Sequence, residues 1–152
     1  MDEFLDNIIN YLASSFADDT DLIPNKRPLV YDAYQVNHEP QASKPEIQVQ
    51  IIDGREQVNY TTFCGKKAMN IPLQITAYAG QMKFKGTMTN AQHSSIKLAD
   101  KIVKYIDKLV YDDENYGITY ARHISSSPAL PMNEGGSMYA SAVRYDFIVQ
   151  NI

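Results

Sequence analysis

Four sets of residues in this chain have the right types and spacing to suggest chemistry. The first is "QITAYAGQMKFKGTMTNAQHSS" (residues 74–95), which runs from an alternating apolar stretch through Gly80 and Gly86 into a helical pattern. Strand, glycine loop and helix is the layout of a phosphate-binding loop, which needs two glycines four residues apart followed by Lys and Ser or Thr. Here five residues separate the glycines, Thr87 follows Gly86 with no lysine between, and Met82 and Phe84 put apolar bulk where backbone amides would face phosphate. Nucleotide binding is therefore rejected, and the glycines are read as hinge points of a long connection. The second set is Cys64 with His38, His93 or His123 as base, a possible nucleophile with no local signature to support it. A lone cysteine beside a glycine reads better as a small strand residue. The third is the histidines themselves, which have no second ligand at helical or hairpin spacing to build a zinc site. The fourth is the acidic runs Asp18-Asp19-Thr20-Asp21 and Asp112-Asp113-Glu114-Asn115. They lack the glycine and distant glutamate of a calcium loop and read as solvated turns after helices. The chain is thus expected to have no catalytic residue, no metal and no cofactor.

The elements that would position these residues follow from periodicity. Residues 2–16 form a helix candidate, with Phe4, Leu5, Ile8, Ile9, Leu12 and Phe16 on one stripe and Asp2 and Glu3 at its positive end. Pro24 and Pro28 stop it. Strands are read at 29–36, at 46–53 and at 71–79, where Pro72 favours an edge or a strand's first residues. The segment 53–70 alternates at Val58, Tyr60 and Thr62 but suggests a bulge or strand edge at Gly65. A second helix starts at an N-cap of Thr89 or Asn90, buries Ile96, Ala99, Ile102, Val103, Ile106 and Leu109, and wets Lys97, Lys101, Lys104 and Lys108. A strand at 118–124, a mobile loop "SSSPALPMNEGG" and a long strand at 138–150 complete the chain. On that last strand Tyr139, Val143, Tyr145, Phe147 and Val149 share a face. The expected fold is one α+β domain over 1–152, two helices on a mainly antiparallel sheet in the order α-β-β-(β)-β-α-β-β.

Composition narrows the class. With 152 residues, 44% hydrophobic, 21% charged and a formal charge of −4, the chain reads as an ordinary globular protein without the basic stripe of a nucleic-acid binder. Eleven Tyr and no Trp suit a sheet-rich fold. One cysteine cannot form an internal disulfide, so a reducing compartment is expected, and the acidic start is unlike a signal peptide. No apolar run approaches the ~20 residues that span a bilayer. What remains is loops: Met82, Phe84 and Met88 in one, and Leu130 and Met132 among prolines in another, have no obvious core to join. Apolar side chains on loops mark protein contacts, which favours an assembly component. Met82, Phe84 and Met88 alternate with Lys83 and Lys85, so an extended, flexible arm from Gly80 to Thr89 would be two-sided and could dock on a neighbouring subunit.

The order of elements resembles the tail-terminator (tail-completion) proteins of long-tailed bacteriophages. The likeness rests on the helix "FLDNIINYLASSF", the strands around "PLVYDAYQV", "PEIQVQIID" and "NIPLQITAYA", the helix "NAQHSSIKLADKIVKYIDKL" and the closing strand "YASAVRYDFIV". It covers nearly the whole chain, although the segment 53–70 departs from the shortest family members. The resemblance implies a virion protein made in the bacterial cytoplasm, without enzyme activity. Such a protein forms a homo-hexameric ring that caps the major tail-tube protein and presents a surface to the head connector. On that reading Met82, Lys83, Phe84, Lys85, Met88, Leu130 and Met132 are the contact residues. A head-completion or neck protein of the same virion, and a small cytosolic enzyme using Cys64, are the alternatives.

Overall fold

The computed structural model describes residues 2–52, 59–61 and 67–151. Helix α1 (Asp2–Ala17) is followed by a short 3-10 turn, Pro24–Lys26, and by strands β1 (Leu29–Asp32), β2 (Glu46–Ile51), β3 (Asn59–Thr61) and β4 (Lys67–Ala79). A hairpin of β5 (Met82–Phe84) and β6 (Thr87–Thr89) leads into α2 (Ala91–Val110). Strands β7 (Ile118–Ser126), β8 (Leu130–Pro131) and β9 (Tyr139–Asn151) close the fold. This is the expected α+β architecture. The main sheet runs β1-β2-β4-β9-β7, with β3 on β4 and β8 on β9. Every pairing is antiparallel except β1 with β2. Among the described residues no helix is long and apolar enough to cross a membrane.

Alternation along the two longest strands builds the core. Ile71, Leu73, Ile75, Ala77 and Ala79 of β4 and Val143, Tyr145 and Phe147 of β9 point to one face and are buried there. Both helices lie on that face, α1 over β1 and β2 and α2 over β4 and β9. Helix α1 contributes Phe4, Leu5, Ile8, Leu12 and Phe16, all buried. Phe4 meets Phe147 edge-on at 5.4 Å, and Phe16 meets Tyr105 of α2 at 5.1 Å, both favourable aromatic geometries. The opposite face of the sheet carries Gln48, Gln50, Gln74, Thr76, Tyr78 and Arg144 and is half-buried to exposed.

Five elements depart from the sequence reading, and one is the loop read as mobile: β7 continues into it to Ser126, and its Leu130 and Pro131 pair with Ala140 and Tyr139 of β9 as β8. First, β1 stops at Asp32, because residues 33–35 turn, with the Gln35 amide donating to the Asp32 carbonyl. Second, Pro72 sits inside β4 rather than near its start. Its carbonyl accepts from Ile52 N–H just past the end of β2, and its ring nitrogen points the same way, so the β9 ladder on the other side loses nothing. Third, the buried stripe of α2 includes Ser94, Ser95 and Leu98, while Ile96 is exposed. Two positions from Leu98 is about 200° round a helix, so Ile96 cannot share its face. The serines fit because α2 comes close to β9 there: Ser95 and Ser141 hydroxyls meet at 3.0 Å, and Ser94 Oγ donates to Thr89 O at 3.1 Å. Fourth, the connection after β4 is a hairpin, not a loose loop. Of the segment 53–70, residues 59–61 pair with 67–69; Cys64, Gly65 and the Asp53-Gly54 turn lie outside the described residues.

Candidate functional site

The two glycines of the opening motif serve different ends. Lys85 and Gly86, at φ 52° and 79°, are the two central residues of a tight turn that pairs Phe84 with Thr87. Two positive φ values match the right-handed twist of a two-residue hairpin. Gly80 instead makes room: a Cβ there would lie 2.3 Å from the carbonyl oxygen of Ala42.

The flexible-arm reading of this segment is corrected by its packing. Met82 and Phe84 are 3% and 6% exposed and belong to the main core, because β5 turns both inward over the end of the helix layer. Lys97 lies over the Phe84 ring at 5.2 Å. Lys83 and Lys85 do face solvent, and Met88 is 52% exposed. Of the seven expected contact residues, Met82 and Phe84 are thus buried in the chain's own interior. Leu130 and Met132 stand exposed, in and just beyond β8.

The acidic turn after α1 is not simply solvated. Asp19 is buried; its carboxylate accepts from the Tyr105 hydroxyl, from Lys101 Nζ at 2.9 Å and from the Asp21 amide at 2.9 Å. Lys101 also reaches Asp21 at 2.8 Å, and the Asp21 carbonyl accepts from Lys85 N. Arg27 Nε donates to the Asp19 carbonyl. Burial pushes the Asp19 carboxyl upward, but the bonds from Tyr105, Lys101 and the Asp21 amide outweigh it and hold the group below the ordinary carboxylate value. Burial likewise depresses Lys101, and its bonds to Asp21 and Asp19 outweigh that and raise it. Burial, then the Asp19 bond, raises Tyr105. The cluster ties the α1 turn, the hairpin and α2 together, with Lys101 paired to both Asp19 and Asp21 and Arg27 held on a backbone carbonyl. The signal for it was present: Lys101 lies on the α2 face between the apolar stripe and the wet side, where a long amine reaches a neighbouring acid.

The histidines fall apart in space. His38 Nε2 meets Glu46 Oε1 at 2.5 Å, while Glu46 Oε2 accepts from Gln48 Nε2 at 2.6 Å. A carboxylate-held imidazole is half of a catalytic arrangement. The lining of the small cavity beside it (Leu29, Tyr31, Glu39, Gln41, Lys44) contains no Ser, Thr or Cys, and the pair anchors the 37–45 loop to β2. His123 stacks on Tyr145 at 5.1 Å and pairs with Ser126, as a packed edge residue. The Tyr145 hydroxyl is buried with no hydrogen-bond partner among the described residues, and its burial raises its pKa. His93 lies exposed in the first turn of α2, its amide donating to Asn90 Oδ1 as the helix cap. Among the described residues, no three His, Cys, Asp or Glu side chains converge on a metal position. Compared with known proteins, the chain matches no protein-family model and no curated protein sequence.

Proposed function

We propose that this chain is a structural virion protein of a long-tailed bacteriophage, a ring subunit that terminates the tail tube and joins it to the head connector. The observation that carries the reading is the fold: helix, strands, helix and closing strands in the order on which the tail-terminator resemblance rests, with both helices on one sheet face. The polar groups of the described residues support it from a second side. Asp19, Lys101, Glu46 and His38 bond to one another across elements and hold loops in place, as scaffold groups do. The neighbours of such a ring are further copies of itself, the major tail-tube protein and the head connector; the exposed Met88, Leu130 and Met132 supply apolar contact surface.

The test adds the purified protein to tubes assembled from the major tail-tube protein of the same phage. Negative-stain images are expected to show one end capped and tube growth halted, with six copies per cap by native mass spectrometry. Tubes that elongate unchanged and recruit no protein overturn the assignment. Twelve copies bound to the head connector instead move the protein to the neck.

A further inference from the structure

The exposed apolar residues are not spread evenly over the molecule. Among the described residues, Tyr116, Tyr120, Ile124, Leu130 and Met132 lie in or beside β7 and β8, the outer edge of the sheet. Leu29 lies in β1, the opposite edge; Ile23 precedes the 3-10 turn before that strand, and Tyr34, in the turn after it, donates its hydroxyl to the Ile51 carbonyl of β2. Only three exposed large hydrophobics, Met88, Ile96 and Tyr111, fall elsewhere. Among the described residues both edges are strands paired on one side alone, so each also presents a row of backbone donors and acceptors to its outer side.

The two edges fit one another in length and direction. The β7 ladder is irregular between Ile118 and Tyr120 and again between His123 and Ser125. That leaves a regular run of four, Tyr120 to His123, and β1 is also four residues, Leu29 to Asp32. Pro128 and Pro131 lie beyond that run, where they block longer pairing. Across the sheet β1 and β2 run one way, β4 the other, β9 back, and β7 opposite to β1. A second copy laid alongside with its helices on the same face therefore brings its β1 antiparallel to β7, the pairing that is slightly more stable per residue.

We infer that β7 of one copy pairs with β1 of the next, joining copies head to tail into one continuous sheet. The inference rests on the ring reading above and names its interface. The contact is heterologous, so it repeats until the rotation closes. Antiparallel strands place residues of the same face opposite one another. Arg122 and Tyr120 lie on the bare face with Leu29 and Tyr31, so Arg122 of one copy stands opposite Tyr31 or, one two-residue step away, Leu29 of its neighbour.

The experiment uses the full chain with Cys64→Ser and either Tyr31→Cys/Arg122→Cys or Leu29→Cys/Arg122→Cys. Within one chain β1 and β7 are four strand spacings apart, about 19 Å, well beyond the roughly 7 Å limit for a disulfide. Any such bond joins two copies. Mild oxidation, with or without tail-tube protein, is expected to give a ladder of covalent oligomers on a non-reducing gel for one of the two pairs, and none for the single-cysteine variants. Far-UV circular dichroism confirms that each variant is folded, and native mass spectrometry of the Cys64→Ser parent reports assembly independently. A parent that forms rings while neither pair gives a ladder overturns the edge pairing and leaves the ring reading intact. A ladder without closure at six keeps the edge pairing and removes the tail-terminator reading. A parent that stays monomeric with the tube protein present refutes both.

Discussion

Replacing Phe84 by alanine separates a packed hairpin from a free arm. Phe84 is 6% exposed and part of the main core, whereas Met88, on the paired strand β6, is 52% exposed. Burying a phenylalanine removes about 150–250 Å² from water, and Phe→Ala in a core costs about 3–5 kcal/mol. The low end applies, because Phe84 sits at the rim of the core on a three-residue strand that can close partly over the gap. The Lys97 ammonium over the ring adds about 0.5–1 kcal/mol, the range for an exposed cation–π pair. A loss of about 3–4 kcal/mol lowers the melting midpoint by about 6–16 °C for a chain of this size. Urea titration followed by circular dichroism gives the free energy directly, with Met88→Ser as the matched control expected within about 0.5 kcal/mol of the parent. A Phe84→Ala loss below about 1 kcal/mol, or equal losses for the two variants, would mean that the hairpin does not pack as described.

Two further outcomes follow from the polar network and the close approach at Gly80. Asp19→Asn should cost about 3 kcal/mol at pH 7, the low end for breaking a buried pair, since Lys101 is left facing one acid instead of two. Because the folded-state pKa of Asp19 lies below its unfolded value, its contribution is full at neutral pH and fades as pH falls below about 4. The gap between parent and variant in urea titrations should therefore narrow at pH 3, and a gap of unchanged size there would count against the assigned cluster. Gly80→Ala should destabilise strongly, because its Cβ would lie 2.3 Å from a backbone oxygen of Ala42 that cannot rotate away. Melting of Gly86→Ala, where no atom lies near but φ is 79°, should show a milder loss of about 1 kcal/mol, the cost of a non-glycine residue held in the left-handed region. The reverse ranking would sink the argument from the close approach.

Periodicity made the long elements legible. The stripe of α1 and the alternation of β2, β4 and β9 each follow one rule over many residues, and each is found nearly where the spacing puts it. The α2 stripe was rotated because a hydrophobicity count cannot see that Ser94 and Ser95 are buried by bonding to Ser141 and Thr89. Local turn chemistry hid the hairpin. Lys85-Gly86 stands where Asn-Gly or Asp-Gly usually announces a two-residue turn, and only the positive φ at Lys85 reveals the same geometry. Once that turn is missed, Met82 and Phe84 look stranded on a loop, and an interface is assigned to residues that serve the core.

The same packing changes where contacts with other chains can form. An arm that docks by ordering loses conformational entropy on binding, and its anchors must be free beforehand. With Met82 and Phe84 already buried and the Asp21 carbonyl bonded to Lys85 N, the hairpin is ordered before any partner arrives. Contact surface then has to come from what the fold leaves exposed, and the largest concentrations of exposed apolar side chains flank β1 and β7. These are also the positions where backbone hydrogen-bonding capacity is unspent, so a partner strand gains ladder bonds and apolar burial together. Rigid edges of this kind need little reorganisation, and shape alone sets the angle between successive copies. On the proposed β7–β1 pairing, the number of copies in a closed ring would follow from sheet twist at that contact, and changes at the irregular positions beside Tyr120 and His123 should alter it before they alter the stability of the single chain.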